Sequence, residues 1–376
     1  MRLKTTLIVL IMLCINSPRI CLAETQPLPP AKVEKIERLV NTFMSEHGVP
    51  GLSIAVVVNG ELIWSNGYGI ADLENNVPAK AATAYRSASI GKTMTATAAM
   101  QLVEQHKLDL DADIQQYCPA FPRKAQRITP RQLLSHLSGI RHYGGPRDKE
   151  EQSSTTHYNS VVEALAPFKN DPLLFPPGTK FQYSTYGYDV LGCVIEGAAG
   201  VSFLRYMKEH IWDASGLTAT RDDDPSAIIP NRASGYILVD GKPRNAQMVD
   251  MSNRLAAGGY VTTVDDLAKF AAAVMAGRLI RKETFQQMIT PALLPNGEKV
   301  PYGLGWGLEL EEWHSDTWVS HGGSSPGVSG ILALMPRHRF AVAILTNVEN
   351  LPGDDRSELA ASIAKIVLDP DAAPKN

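Results

Sequence analysis

Three short stretches hold residue types that could carry out nucleophilic chemistry. The first is Ser89-Ile90-Gly91-Lys92, inside Tyr85-Arg86-Ser87-Ala88-Ser89-Ile90-Gly91-Lys92-Thr93. A helix starting at Ser89 puts the hydroxyl and the amine on one face, one turn apart. A hydroxyl is a poor nucleophile near neutral pH and needs a base beside it. A lysine serves when burial or nearby charge lowers its pKa. The second stretch is Phe181-Gln182-Tyr183-Ser184-Thr185-Tyr186-Gly187-Tyr188, which follows the turn Pro177-Gly178-Thr179-Lys180. A tyrosine near a lysine is a proton shuttle if that cation lowers its phenol pKa. The structural alternative is three tyrosines packed against a cleft wall. The third is Ser320-His321-Gly322-Gly323-Ser324-Ser325-Pro326-Gly327. Glycines there let a substrate backbone lie along the chain, and a backbone N–H could pair with that of Ser89 as an oxyanion hole. The alternative is a glycine-rich turn between strands.

Spacing alone decides little. A chain of this length holds about one or two serine–lysine pairs at this separation by chance, and Ser362-Ile363-Ala364-Lys365 is a second. The surrounding elements must therefore do the selecting. Lys32 to His47 carries apolar residues at Val33, Ile36, Leu39, Val40 and Phe43, a helical period closed by Gly48. Gly51 to Val58 is β-branched and apolar, Asn59-Gly60 is a hairpin turn, and Glu61 to Trp64 returns as the partner strand. Thr93 to His106 reads as a helix. Leu108 to about Glu298 is irregular and helix-rich, punctuated by proline and glycine. Within it, Val264 to Gly277 is a helix with Thr263 as N-cap. Tyr302–Leu310, Thr317–Ser320, Gly330–Met335 and Phe340–Thr346 are short and rich in β-formers, and Ser357–Leu368 is a terminal amphipathic helix. The expected fold class is α+β: one antiparallel sheet from the two ends of the chain, flanked by helices, with an inserted helical region. A cleft lies between the two regions, with the third stretch on an edge strand along it.

The 376 residues carry 44% hydrophobic and 20% charged side chains and a formal net charge of −3, so nothing points to nucleic acid. Residues 1–23 read as a signal peptide: basic Arg2 and Lys4, an apolar run from Thr5 to Ile15, and Cys21-Leu22-Ala23 before a cut at Glu24. Arg19 is atypical there, and an uncleaved anchor is the other reading. Removal takes three basic and no acidic residues, leaving a charge of −6 and no later stretch long and apolar enough to cross a membrane. Export to a secreted or periplasmic location follows. Cys118 before Pro119 and Cys193 in an apolar run read as one loop thiol and one buried thiol, although an oxidising compartment also permits a disulfide. No spacing for a metal appears, and no cofactor is expected.

Taken in order, the three stretches resemble the serine β-lactamase and penicillin-binding superfamily, and most closely its class C-like branch. That branch includes D,D-peptidases, D-aminopeptidases, esterases and the animal β-lactamase-like mitochondrial proteins, and carries S-x-x-K, Y-x-N and K-T-G or H-x-G. Gln132-Leu133-Leu134-Ser135-His136-Leu137-Ser138-Gly139, Pro177-Gly178, Ala257-Gly258-Gly259-Tyr260 and Tyr302-Gly303-Leu304-Gly305-Trp306 also match, so the resemblance spans roughly Lys32 to Leu368. It implies one catalytic domain over 24–376, with a sheet region at about 32–90 plus 300–368 and a helical region at about 91–299. Ser89 would be the acylated nucleophile and Lys92 would take or relay its proton. Tyr183 would protonate the leaving group and then activate water. The N–H groups of Ser89 and Ser324 would form the oxyanion hole, beside His321 and Gly323. Ser362 then reads as a face of the terminal helix.

The departures bear on substrate. Thr185 stands where the family has asparagine, His321 where many β-lactamases have lysine, and Gly322 where a threonine follows. Lysine and a threonine hydroxyl suit a substrate carboxylate; their absence points to a peptidase- or esterase-like hydrolase of amides or esters, including D-amino-acid peptides. A class C-like β-lactamase, a penicillin-recognising sensor and an assembly-forming scaffold are the alternatives. A small molecule or peptide is the expected partner, and the oligomeric state is open. Gly91-Lys92-Thr93 is no phosphate loop, because Arg86 stands where its first glycine belongs. No G-x-S-x-G elbow occurs. His136 reads as a buttress of the cleft, since lysine and tyrosine already fill the base role.

Overall fold

The β-branched run Gly51–Val58 (β1) turns through Asn59 and Gly60, both with positive φ, and returns as Glu61–Asp72 (β2). This hairpin opens a seven-stranded antiparallel sheet in the computed structural model, which describes residues 27–144, 148–313 and 315–369. The expected signal peptide lies outside the described residues. The remaining strands, in chain order, are Val77–Pro78 (β3), Tyr85–Arg86 (β4), Arg221–Asp222 (β5), Tyr236–Val239 (β6), Lys242–Asn245 (β7) and Tyr260–Thr262 (β8), then Gly307–Trp313 (β9), Asp316–Ser325 (β10), Val328–Met335 (β11) and Phe340–Thr346 (β12). The large sheet runs β3-β2-β1-β12-β11-β10-β9, so β1 from one end of the chain pairs with β12 from the other.

Side-chain alternation gives this sheet two buried faces. Ile54 and Val56 of β1 pack with Ile36, Val40 and Phe43 of the helix Pro30–His47 and with Ile363 of the helix Gly353–Leu368. Ala55 and Val57 face the other way, toward Met94 and Phe270 of the helices Gly91–Glu104 and Val264–Met275. Thr263 caps the latter, its Oγ1 accepting from the Asp266 N–H at 3.2 Å. No single described helix is long and apolar enough to cross a membrane.

The α+β architecture matches the sequence reading; several local details differ. The terminal helix begins at Gly353 rather than Ser357, with Asp354 and Asp355 favouring its first turn. Residues 302–306 form a loop, because Gly303 and Gly305 weaken a strand there. The middle region also holds a small β4-β8-β5 sheet and a β6–β7 hairpin, whose strands of two to four residues are too short to leave a period. Cys118 and Cys193 are not separate thiols: they form a disulfide across 75 residues, with Cα atoms 5.5 Å apart. Finally, the third stretch lies on β10, which is not the sheet edge, since β9 flanks it. The pairing with β9 ends at Ser320–Gly307, however, so His321 onward is left free on that side.

Candidate active site

Ser89 stands on a single 3₁₀ turn, Ala88–Ile90, that runs directly into the helix Gly91–Glu104. Ala88, just before it, takes a left-handed φ of 46°, a conformation that costs a non-glycine residue energy and is held by its surroundings. Two segments brace the turn. Gly258, at φ 117°, lies so close that a Cβ there would overlap the Ala88 carbonyl oxygen. Gly323 of β10 lies where a Cβ would be 3.1 Å from the Ser89 nitrogen. The Ala257-Gly258-Gly259 stretch and the third stretch are therefore both pressed against the serine.

Lys92 is fully buried one turn along, and its Nζ donates to Ser89 Oγ at 3.1 Å, to the Ala257 carbonyl at 3.0 Å and to Thr185 Oγ1 at 3.5 Å. Burial lowers its pKa to about 7; the Asp189 carboxylate opposes that shift and the Arg254 guanidinium adds to it. A neutral amine beside a serine hydroxyl is a base in place.

Tyr183 sits just before the helix Thr185–Ala199, whose N-cap Ser184 accepts from the Gly187 N–H at 2.9 Å. Its ring lies 5.0 Å from Lys92 Nζ. The neighbouring lysine does not lower this phenol. Burial raises its pKa well above the ordinary tyrosine value, with a hydrogen bond to Ser89 pulling the other way. His136 packs under the tyrosine at 4.3 Å between ring centroids and also touches the rings of Tyr188 and Tyr302. Its Nδ1 accepts from the Ser184 N–H at 3.1 Å, and burial holds it neutral. It is thus a support for the tyrosine segment.

His321 lies on β10 with its ring 6.3 Å from that of Tyr183. Both its nitrogens are engaged: Nδ1 with the Gly322 carbonyl at 2.7 Å and Nε2 with the Tyr302 hydroxyl at 2.8 Å. A carbonyl only accepts, so Nδ1 carries the proton and Nε2 accepts from Tyr302. Burial lowers its pKa to about 3, so the ring is neutral. Thr185 starts its helix with its N–H donating to His142 Nδ1 at 3.1 Å. Ser324 is exposed, and its Oγ accepts from the Asn350 N–H at 3.2 Å.

Ser89, Tyr183, Thr185 and Ser324 line one cavity of about 260 Å³. Lys92 is buried next to Ser89 outside that lining, and His321 stands beside Tyr183. The twin pair Ser362 and Lys365 is on the terminal helix, which packs on the opposite face of the sheet. A second cavity of about 270 Å³, lined by His157, Glu196, Asp222 and Asp250, borders the 251–259 segment and holds none of these residues. Sequence reasoning missed two ionisable groups at the site. Arg254 lines the same cavity as Ser89, and Asp189 is a carboxyl whose burial pushes its pKa well above the usual range, within electrostatic reach of Lys92. The one signal for Arg254 is an isolated arginine four residues before Gly258; Asp189 is hidden in an apolar helix.

The sequence model of the Beta-lactamase family matches residues 36–365. The mouse serine beta-lactamase-like protein LACTB, mitochondrial, is 32% identical, the alignment covering 86% of this chain and 77% of that protein. Penicillin-binding protein 4* of Bacillus subtilis is 26% identical over 85% of this chain and 72% of its own length. Among solved structures, the octameric penicillin-binding protein homologue from Pyrococcus abyssi superposes with a TM-score of 0.77 at 27% identity, covering 89% of this chain and 77% of that one.

Proposed function

The chain belongs to the Beta-lactamase family, and on that premise we propose that it hydrolyses amides or esters through an acyl-enzyme on Ser89. One observation carries the reading: a buried lysine with pKa about 7 lies 3.1 Å from the serine hydroxyl. In the proposed cycle neutral Lys92 takes the Ser89 proton as Oγ attacks the carbonyl carbon. The N–H groups of Ser89 and Ser324 receive the oxyanion. Tyr183, whose phenol burial keeps protonated, gives its proton to the leaving group, and the C–N or C–O bond breaks. Water then attacks the acyl carbon, Tyr183 takes a proton from it, and Ser89 recovers its own.

For substrate, the reading is peptidase- or esterase-like. His321 is neutral with both nitrogens engaged, and Gly322 has no hydroxyl, so β10 offers no cation to a leaving-group carboxylate. The Cys118–Cys193 disulfide fits export to an oxidising compartment. The test is to incubate wild type and Ser89→Ala with a fluorophosphonate or a labelled penicillin and follow intact mass over time. Wild type should gain one adduct and Ser89→Ala none. A penicillin adduct that clears supports turnover, whereas one that persists for hours supports a sensor instead. Absence of any adduct on wild type would remove Ser89 as nucleophile.

A further inference from the structure

The lining of the catalytic cavity contains a buried guanidinium that the cycle above does not use. Arg254 is 6% exposed and lines the same cavity as Ser89 and Tyr183. It is set by a break in the 3₁₀ segment Met251–Ala257, where its φ is −144° and its ψ is 31°. Its partners are all neutral. Nε donates to Asn253 Oδ1 at 2.8 Å, and Nη2 donates to the Glu151 and Gln152 carbonyls at 2.9 and 2.7 Å. The Tyr143 ring lies over it at 4.9 Å. Among the described residues no carboxylate lies within ion-pair distance of it, and Nη1 has no acceptor. Asp189 acts on it only at longer range.

An arginine cannot shed its charge, and a buried charge without a counter-ion is costly. The second cation beside the cavity, Lys92, has its pKa lowered to about 7 by burial, and Arg254 adds to that shift. The Arg254 position is thus a standing positive charge with an open N–H in the cavity that Ser89 and Tyr183 line. That is what a bound anion would satisfy.

We propose that Arg254 anchors a carboxylate of the substrate, so that this hydrolase takes esters or amides whose acyl part is itself acidic. The inference rests on Ser89 being the nucleophile. The acyl half is chosen because β10, with His321 and Gly322, offers no cation to the leaving group, whereas Arg254 reaches the cavity from a different segment.

The test uses one pair of probes: glutaric acid mono-p-nitroanilide and its terminal amide, which has the same shape without the charge. Wild type should prefer the acid in kcat/KM by roughly ten- to hundredfold, the range of a charge-assisted contact. Arg254→Gln should abolish the preference and Arg254→Lys should keep part of it. Any loosening of the Glu151–Gln152 backbone affects both probes alike, so the ratio reports the charge. Calorimetry on Ser89→Ala with the same two compounds supplies a readout that needs no turnover. The acid should bind roughly tenfold tighter or more than the amide, and Ser89→Ala/Arg254→Gln should lose that difference. Equal binding of the two probes to Ser89→Ala overturns the anchor. A wild type that cleaves neither probe and takes no fluorophosphonate, while Ser89→Ala still selects the acid, overturns the nucleophile and leaves the anchor standing.

Discussion

The acid limb of the acylation rate tests the lysine directly. Lys92 Nζ lies 3.1 Å from Ser89 Oγ, and burial brings its pKa to about 7 from an ordinary 10.5. If the neutral amine is the base, acylation follows its neutral fraction. That fraction is about one tenth at pH 6 and about nine tenths at pH 8. Fluorophosphonate labelling of wild type should therefore speed up about tenfold over that interval and then level off. A lysine at its ordinary pKa would give about a hundredfold rise over the same interval and keep climbing past pH 10. Tyr183, raised by burial, adds no limb in this range, and neutral His136 and His321 titrate below it. The neighbours fix the direction of one further shift. Arg254 disfavours the ammonium, so Arg254→Gln should move the limb to higher pH, whereas Asp189, whose carboxyl burial pushes well above the usual range, carries no such prediction. The measurement is the labelling rate by intact mass from pH 5 to 10 at constant ionic strength. A rate independent of pH would refute the lysine as base, and a slope of one continuing past pH 9 would refute its lowered pKa.

Two further outcomes follow from the site and the fold. In the proposed cycle Tyr183→Phe removes the proton donor for the leaving group, so the acylation (burst) phase on a p-nitroanilide should slow by about 10²–10⁴ while that on a p-nitrophenyl ester, whose leaving group needs no proton, slows far less; equal slowing of the two acylation phases would place Tyr183 elsewhere in the cycle. The Cys118–Cys193 bond closes a loop of 75 residues, so on the chain-entropy account Cys193→Ser should cost about 4 kcal/mol of stability. Denaturant unfolding reads that loss, and an unchanged midpoint would mean that the bond does not constrain the unfolded chain.

What the sequence made legible is what short-range chemistry encodes. Asn59-Gly60 announces its hairpin because both turn residues accept positive φ, and Thr263 announces its helix because a side-chain oxygen there meets the Asp266 N–H. Ser89 and Lys92 belong to the same class, since one helical turn joins them. The protonation states do not. That the Tyr183 phenol is pushed up, and that His321 is neutral with its proton on Nδ1, depends on burial and on Tyr302, 19 residues away. The cysteine bond joins a loop to a helix, and no local pattern distinguishes it from two separate thiols.

Substrate selection lies further still along this scale. The absence of lysine and threonine from the third stretch argues against a carboxylate only if that stretch is the sole place where a cation could stand. Arg254 reaches the same cavity from an irregular segment 165 residues beyond Ser89, held by carbonyls of Glu151 and Gln152 that no spacing rule connects to it. The motif residues therefore constrain the reaction, since bond making needs atoms at fixed short distances. The charge proposed to choose the substrate acts over a longer range. In this chain the two come from separate segments: β10 holds a neutral histidine beside bare backbone, and the Arg254 guanidinium lines the same cavity from the 251–257 segment.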